Sequence, residues 1–350
     1  MFNPNFKISN KILNNLTEIA EIKSIVDRSP VLPKQEAHLR RRALIKMAHF
    51  STSIEGNKLA EFQVQKVMDG EKISAEQKEI IEVENYQKTL TKMEEISQNK
   101  KDISLDDILG LHRILTKNLV VPEKNGHLRP NMVYVANIDH GKESVVYTPC
   151  KTKEVEFYLK ELVDWVVNNT QTTHPIITAG LLHYQFVTVH PFTDGNGRLT
   201  RLLTQLHLYQ RKYDFKKILV LDEYYYRNRK EYYMALDTGP TYNSRKHADL
   251  TSWLEYFTDG FVEEARTVKE NLQAMGFAKE LNNNEQIFLD KDQVKMMDFV
   301  ATVGKITSND VVDILQIPKR TAQSKLKTLS EMKLLQMRGK GPSTYYVLKK

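Results

Sequence analysis

The chain has 350 residues, 41% of them hydrophobic, enough to bury a sizeable core and more than one. Its single cysteine excludes an internal disulfide and fits a reducing cytoplasm. No apolar run approaches the ~20 residues of a membrane span and no basic-then-apolar leader opens the sequence, so a cytoplasmic setting away from membranes is expected. The net charge of +7 is unevenly spread: residues 305–350 hold ten Lys/Arg against three Asp/Glu, which leaves the first 304 residues close to neutral.

Helical periodicity dominates from the N-terminus. The spacing of apolar residues predicts helices over 8–27, Pro33–Ile54, Glu61–Met68, 75–97 and 105–119. In the second of these, Leu44, Met47, Ala48 and Phe50 are the inward candidates, and Gly56 is its expected stop. A β-rich stretch then interrupts the pattern. Residues 131–138 and 144–147 read as two strands around the turn cluster Asp139-His140-Gly141-Lys142. Helix resumes over 152–167 and again from Pro175, where Leu181, Leu182, Phe186 and Val189 recur at three- and four-residue spacing. His183, on that apolar face, reads as a satisfied core histidine. Pro191 lacks an amide hydrogen and disfavours helix in the residue before it, so this helix should stop at His190.

The next twelve residues, His190-Pro191-Phe192-Thr193-Asp194-Gly195-Asn196-Gly197-Arg198-Leu199-Thr200-Arg201, concentrate chemistry. Leu199, Leu202, Leu203 and Leu206 mark the buried face of a further helix starting near Arg198, so the loop runs into a helix N-terminus that favours anions. Gly195 and Gly197 permit positive φ and close phosphate approach, and Asn196 tolerates the left-handed region. The 195–197 amides are thus expected to form an anion hole. Arg198 and Arg201 share a face and are expected to reach one phosphate chain. Asp194 is a candidate oxygen ligand for Mg²⁺, and His190, titrating near neutrality, a candidate general base. Together these parts suit a nucleoside triphosphate attacked by a hydroxyl.

Downstream, Tyr224, Tyr225 and Tyr226 precede a helix over 227–235 that carries Tyr232 and Tyr233. A long helix over 249–275 leads to a polar linker at 281–285. The basic remainder reads as a winged helix-turn-helix. Its helices span 290–303, a segment capped by Ser308 or Asn309 and running to Leu315, and 319–332, with Ile306 as a short strand. Strand-like segments at 334–338 and 344–348 flank a wing tip, Gly339-Lys340-Gly341-Pro342. The third helix would expose Lys319, Arg320, Gln323, Ser324 and Lys327, a mix suited to duplex DNA. The fold class expected is mainly α: a helical core with a β-hairpin, plus this C-terminal unit.

All nine fixed positions of HPFxDGNGRxxR are present at 190–201, and the segment resembles the signature of the Fic family, which moves AMP from ATP onto protein hydroxyls. The resemblance implies a Mg²⁺-dependent adenylyltransferase with His190 as base, Asp194 on the metal, and Arg201 on the γ-phosphate. It also implies Tyr232 or Tyr233 against the adenine. Family members with a bulky basic residue in place of Gly197 are thought to act as kinases; this chain keeps the glycine. Ser51-Thr52-Ser53-Ile54-Glu55-Gly56-Asn57 matches the family's inhibitory pattern, Ser/Thr-x-x-x-Glu followed by Gly or Asn. That match implies that Glu55 pairs with Arg201 where the γ-phosphate would go, with Ser51 and Gly56 as the other inhibitory positions. The hairpin at 131–147 resembles the family's flap, which registers a protein target, or a segment of the chain itself, by strand pairing. It ends Thr148-Pro149-Cys150, where the family often has a Pro-Pro pair.

On this reading residues 1–100 form an N-terminal helical region with the inhibitory helix at about 40–56, 101–280 the Fic catalytic domain, and 285–350 the winged helix, with DNA contacts expected within 305–350. Two alternatives accompany it: a DNA-binding regulator whose Fic core senses nucleotide, and a bifunctional enzyme in which Glu55 also positions water for AMP removal.

Overall fold

Ser9 opens the first helix by accepting a hydrogen bond from the Ile12 amide, and Ile12, Ile19, Ile22 and Val26 form the buried stripe of α1 (Asn10–Arg28). The structure, a computed structural model, describes residues 2–29, 31, 33–99, 102–139, 142–281, 289–339, 341 and 344–349. Helix α2 (Pro33–Ile54) follows, then α3 (Glu61–Met68), α4 (Gln77–Asn99) and α5 (Leu105–Leu115). A two-stranded antiparallel hairpin, β1 (Val135–Asp139) with β2 (Lys142–Tyr147), precedes α6 (Val155–Asn168), α7 (Pro175–Val189) and α8 (Asn196–Gln210). Short helices α9 (Leu221–Arg227), α10 (Arg229–Leu236) and α11 (Tyr242–Arg245) lead to α12 (Thr251–Leu281).

Helix α7 is the axis of the molecule. Thirteen of its fifteen residues are buried, so it has no polar face and must be surrounded. Ile176, Ala179, Leu181 and Tyr184 pack into one hydrophobic cluster with α1, α9, α10 and α12. Leu182 and Phe186 pack into a second with α4, α5, α6 and α8. Gly180 lets α12 approach closely: a Cβ there would lie 2.9 Å from Leu254, and Trp253 Nε1 donates to the Gly180 carbonyl at 2.8 Å.

Helix α2 touches more of the molecule than its neighbours do. Leu39 and Ile54 join the first cluster, and Ala43, Ile45, Met47, Ala48 and Phe50 the second. Ala37 belongs to a third, built by α13 (Lys291–Val303), α14 (Ser308–Leu315), α15 (Lys319–Glu331), β3 (Leu335–Arg338) and β4 (Tyr345–Leu348). Ion pairs continue that seam. Arg40 pairs with Asp298, and Arg41 donates to the Thr302 carbonyl at 3.0 Å. His38 Nε2 lies 3.0 Å from the Lys349 carbonyl. β3 and β4 pair antiparallel, and Ile306 adds a single bridge to Tyr346. On α15, Lys319, Arg320, Gln323, Ser324 and Lys327 are exposed.

Several boundaries differ from the sequence reading, each for a local reason. Residues 131–134 are not strand; the Asn131 carbonyl accepts from Arg129 instead of a strand partner. The helix expected over 227–235 begins at Arg229, because Asn228 sits outside helical geometry with φ −110° and ψ 43°. Thr307, not Ser308 or Asn309, caps α14, in a capping box with Asp310. Leu281 still belongs to α12, while 282–285 of the expected linker lie outside the described residues, as do His140 and Gly141 of the hairpin turn and Lys340 and Pro342 of the wing tip.

Candidate active site

His190 is the C-cap of α7, in the left-handed region at φ 51°, ψ 61°, with its amide bonded to the Phe186 carbonyl at 3.1 Å. Pro191 disfavours the right-handed helical conformation at His190, and α7 ends there. Nδ1 lies 3.3 Å from the Val187 carbonyl, which can only accept, so the proton sits on Nδ1 and Nε2 keeps its lone pair. Burial pushes the His190 pKa down to about 4, with Arg129 adding to the effect, so the ring is neutral at physiological pH.

Asn196 closes the loop after His190. Its side chain accepts from the Phe192 amide and donates to the Phe192 carbonyl, both at 2.9 Å. Gly195 alone takes positive φ, 82°, as N-cap; Asn196 and Gly197 are helical, so α8 starts two residues before Arg198. The Gly195 amide donates to Asp194 Oδ1. This corrects the expected anion hole: the first-turn amides of Asn196 and Gly197 remain for an anion, and that of Gly195 does not. Gly197 is helical, so what sets it apart here is its closeness to the Glu55 carboxylate. A Cβ there would fall 2.2 Å from Glu55 Oε1.

The two arginines do not converge. Arg198 faces Glu82 at 3.5 Å and Asp194 at 3.2 Å. Arg201 Nε donates to Ser51 Oγ at 2.8 Å, and Nη2 donates to both the Ser51 carbonyl and Glu55 Oε1 at 2.8 Å. Asp222 lies 3.3 Å from Arg201 Nε. Burial opposes the charge on Arg201, but Glu55, Tyr232 and Asp222 outweigh it and raise its pKa. Gly56, at φ 100°, ends the turn that carries Glu55. Among the described residues no group of three or more His, Cys, Asp or Glu is arranged to hold a metal. Asp194 is a single half-exposed carboxylate whose Oδ1 is already engaged, a donor set that fits Mg²⁺ only in company with phosphate oxygens.

The tyrosine pair separates. Tyr233 is 46% exposed, whereas Tyr232 is buried, stacked on Tyr225 and bonded to His183 at 2.8 Å. His183 is the satisfied core histidine expected, with Thr204 on its other nitrogen at 3.0 Å.

Sequence reasoning missed three supporting side chains. Buried Arg129 donates to the His190 carbonyl at 2.9 Å, and also to Thr152 Oγ1, the Asn131 carbonyl and the Cys150 carbonyl, tying the base to both feet of the hairpin. It lies in a loop with no periodicity to flag it. His112 stacks on Phe192 at 3.7 Å and donates to the Asp194 carbonyl at 3.0 Å. Asp222 follows the apolar run Ile218–Leu221 directly and is paired with Glu223 in sequence, so nothing local marks it as the buried one of the two.

Residues 102–208 match the model of the Fic/DOC family. That stretch of the chain, which holds the 190–201 segment, is similar to the Fic/DOC family. A Fic family protein from Desulfovibrio desulfuricans superposes on 99% of this chain and 98% of its own with a TM-score of 0.64 and 26% identity. Fic-1 of Caenorhabditis elegans matches at TM-score 0.58 and 26% identity over 76% of this chain and 74% of the other. In sequence, the protein adenylyltransferase fic-1 of C. elegans is 30% identical over 235 residues, and the protein adenylyltransferase Fic of Nematostella vectensis 27% over 229. Those alignments take in 65% and 62% of this chain, and the chain spans less than half the length of either relative. Ser51 of α2 and Glu55 just after it complete the Arg201 site, so that site is built in part by residues from outside 102–208.

The buried histidines set an acid limit on this assembly. Burial holds His112 and His190 down at about 4 and His207 at about 3, and puts His183 well below its ordinary value. In the unfolded chain all four take protons near 6.5, so below that pH the unfolded state binds more protons and stability falls until the folded values are reached. A single such shift is worth up to about 3 kcal/mol. Glu264, raised to about 7 by burial, acts in the opposite sense together with Asp222 and Asp298, while His49 and His174 are also lowered and add to the histidine effect. The urea midpoint is therefore expected to drop steadily between pH 6.5 and 4; a flat midpoint over that range would contradict neutral burial.

Proposed function

We propose that this protein is a self-inhibited protein adenylyltransferase. The observation that carries the reading is the His190 ring, neutral and bonded through Nδ1, with Nε2 left to take a proton beside the α8 N-terminus. The relatives named protein adenylyltransferase point the same way. A Ser, Thr or Tyr hydroxyl of the target attacks the α-phosphorus of ATP, its proton passes to His190 Nε2, and the bond to the β-phosphate breaks to release pyrophosphate. The Asn196 and Gly197 amides and Arg198 hold the phosphates, and Tyr233 is the exposed ring for the adenine. Asp194 would hold Mg²⁺ together with the phosphates, and that ion would supply charge neutralisation.

The target lies along the hairpin, whose two strands pair only with each other among the described residues and expose Val145 at 58%. A hydroxyl-bearing segment of a second copy of the chain that reached that edge would be modified by the same route. The Glu55–Arg201 pair supports self-inhibition, since it occupies the γ-phosphate ligand. Incubating pure protein with α-labelled ATP and lysate, followed by mass spectrometry of labelled species, is expected to find AMP on protein hydroxyls. Absence of covalent label, with a duplex shifted by the exposed basic face of α15, would instead favour a DNA-binding regulator that senses nucleotide.

A further inference from the structure

The last turn of α7 ends in carbonyls that the helix itself leaves without donors, and the hairpin supplies them. Tyr147 Oη, at the end of β2, donates to the Thr188 carbonyl at 2.6 Å, and Cys150 Sγ donates to the Val189 carbonyl at 3.6 Å. Arg129, ahead of β1, donates from Nε to the His190 carbonyl and from its own amide to the Pro191 carbonyl, both at 2.9 Å. The consecutive carbonyls of 188–191 are thus capped from the two feet of one hairpin.

The same guanidinium joins the feet to each other. Arg129 Nη1 donates to the Asn131 carbonyl at 3.2 Å and to Thr152 Oγ1 at 3.1 Å, and Nη2 donates to the Cys150 carbonyl. A planar fork with five donors can span both feet and the helix end at once; an ammonium on a flexible stem cannot.

His190 needs such support. The left-handed region is unfavourable for a residue with a Cβ, and His190 stands there at φ 51°. Such a conformation persists only where the surroundings over-determine it, and Arg129 binds the carbonyls on both sides of the 190–191 peptide. In that conformation Nδ1 meets the Val187 carbonyl at 3.3 Å, so the backbone at 190 also decides which ring nitrogen is free.

We infer that Arg129 is a positioning residue, holding the hairpin and the His190 backbone in one register so that a hydroxyl paired along the strands arrives at Nε2. The inference rests on the adenylyltransferase reading, in which His190 is the base and the hairpin the dock.

The test uses the full chain carrying Glu55→Gly, with α-labelled ATP, a fixed amount of lysate, and titration calorimetry for ATP binding. Arg129→Met removes the fork. It is expected to lower the labelling rate at saturating ATP ~10–100-fold, with KM, Kd and stoichiometry for ATP within ~2-fold of the parent. An unchanged rate, or ATP affinity lost along with it, would overturn the role. Arg129→Lys keeps the charge without the fork and is expected to recover less than ~3-fold of the loss; full recovery would make charge the cause and overturn the bridging role. A second readout needs no transfer. The ¹⁵N signal of the His190 ring, assigned by its absence in His190→Ala, is expected to show the Nδ1-protonated form in the parent and to move toward the Nε2-protonated form in Arg129→Met. An unmoved signal counts against the role. Tyr147→Phe, at the opposite foot, loses the bond to the Thr188 carbonyl and keeps its ring against Arg245, 3.8 Å away. It is expected to move both readouts in the same direction, the rate by ~2–5-fold, and it decides the matter should Arg129→Met not fold. Transfer absent from the parent, or near-parental in His190→Ala, would remove the adenylyltransferase reading; the ring signal alone would then support or overturn the hold of Arg129 on His190.

Discussion

His190→Ala is expected to lower label transfer by ~10²–10⁴-fold while ATP affinity stays within a few-fold of the parent. The split follows from where the ring sits. Its Nδ1 is tied to the Val187 carbonyl, which leaves Nε2 as the acceptor, whereas the phosphate ligands proposed here belong to α8. Because burial holds the ring at about 4, transfer by the parent protein should also persist from pH 7 down to about 5, rather than fading through 6.5 as an exposed histidine would dictate. Near-parental transfer by the alanine variant, measured on folded protein at saturating ATP, would remove the base from the mechanism.

Glu55→Gly should act in the opposite direction, raising self- or target-labelling by at least ~10-fold. In the resting chain Glu55 occupies Arg201 at 2.8 Å and crowds Gly197 so closely that a methyl group would not fit between them. A γ-phosphate brought to the same arginine meets a like charge. At ~4 Å and an effective dielectric of 20 the repulsion is about 4 kcal/mol, and half of that suppresses the productive pose roughly 30-fold. Glycine at position 55 removes the carboxylate and leaves Arg201 held by Ser51 and Asp222. Arg201→Ala loses the inhibitory pair as well, but also the phosphate contact, and is not expected to activate. An unchanged labelling rate in Glu55→Gly would make the upstream motif a helix end and nothing more.

The elements were legible where periodicity and punctuation agreed. Pro33–Ile54 and Glu61–Met68 could be read to the residue, and Pro191 marks the end of α7 because its ring acts on the backbone one residue away. The hairpin was read too long, since nothing local says that Arg129 will bond the Asn131 carbonyl. The same contrast holds in the site. Residues 190–201 lie together in sequence, so their types and spacing disclose them. Arg129, His112 and Asp222 act on that segment from 61, 82 and 21 residues away, as the bonds to the His190 carbonyl, the Asp194 carbonyl and Arg201 require, and only the folded chain brings them in. The separation of Arg198 from Arg201 was hidden for a further reason: a shared helix face does not determine which acid each guanidinium finds.

One consequence of α2 concerns how the proposed inhibition would be relieved. Its side chains enter all three hydrophobic clusters, and Leu39, Ile45, Met47, Phe50 and Ile54 are each at least nine-tenths buried. Pulling the helix away would expose all five, at about 2 kcal/mol apiece, on the order of 10 kcal/mol in total. A ligand binding at micromolar strength returns about 8 kcal/mol in all, which leaves nothing over for its own affinity. Helix departure is therefore closed as a route. The carboxylate of Glu55, one-third exposed and followed by a glycine in the left-handed region, can instead swing about its own side-chain bonds while the helix beneath it stays in place. Activation of this kind is a rotamer change on a fixed support, so an activator has only to outcompete one ion pair.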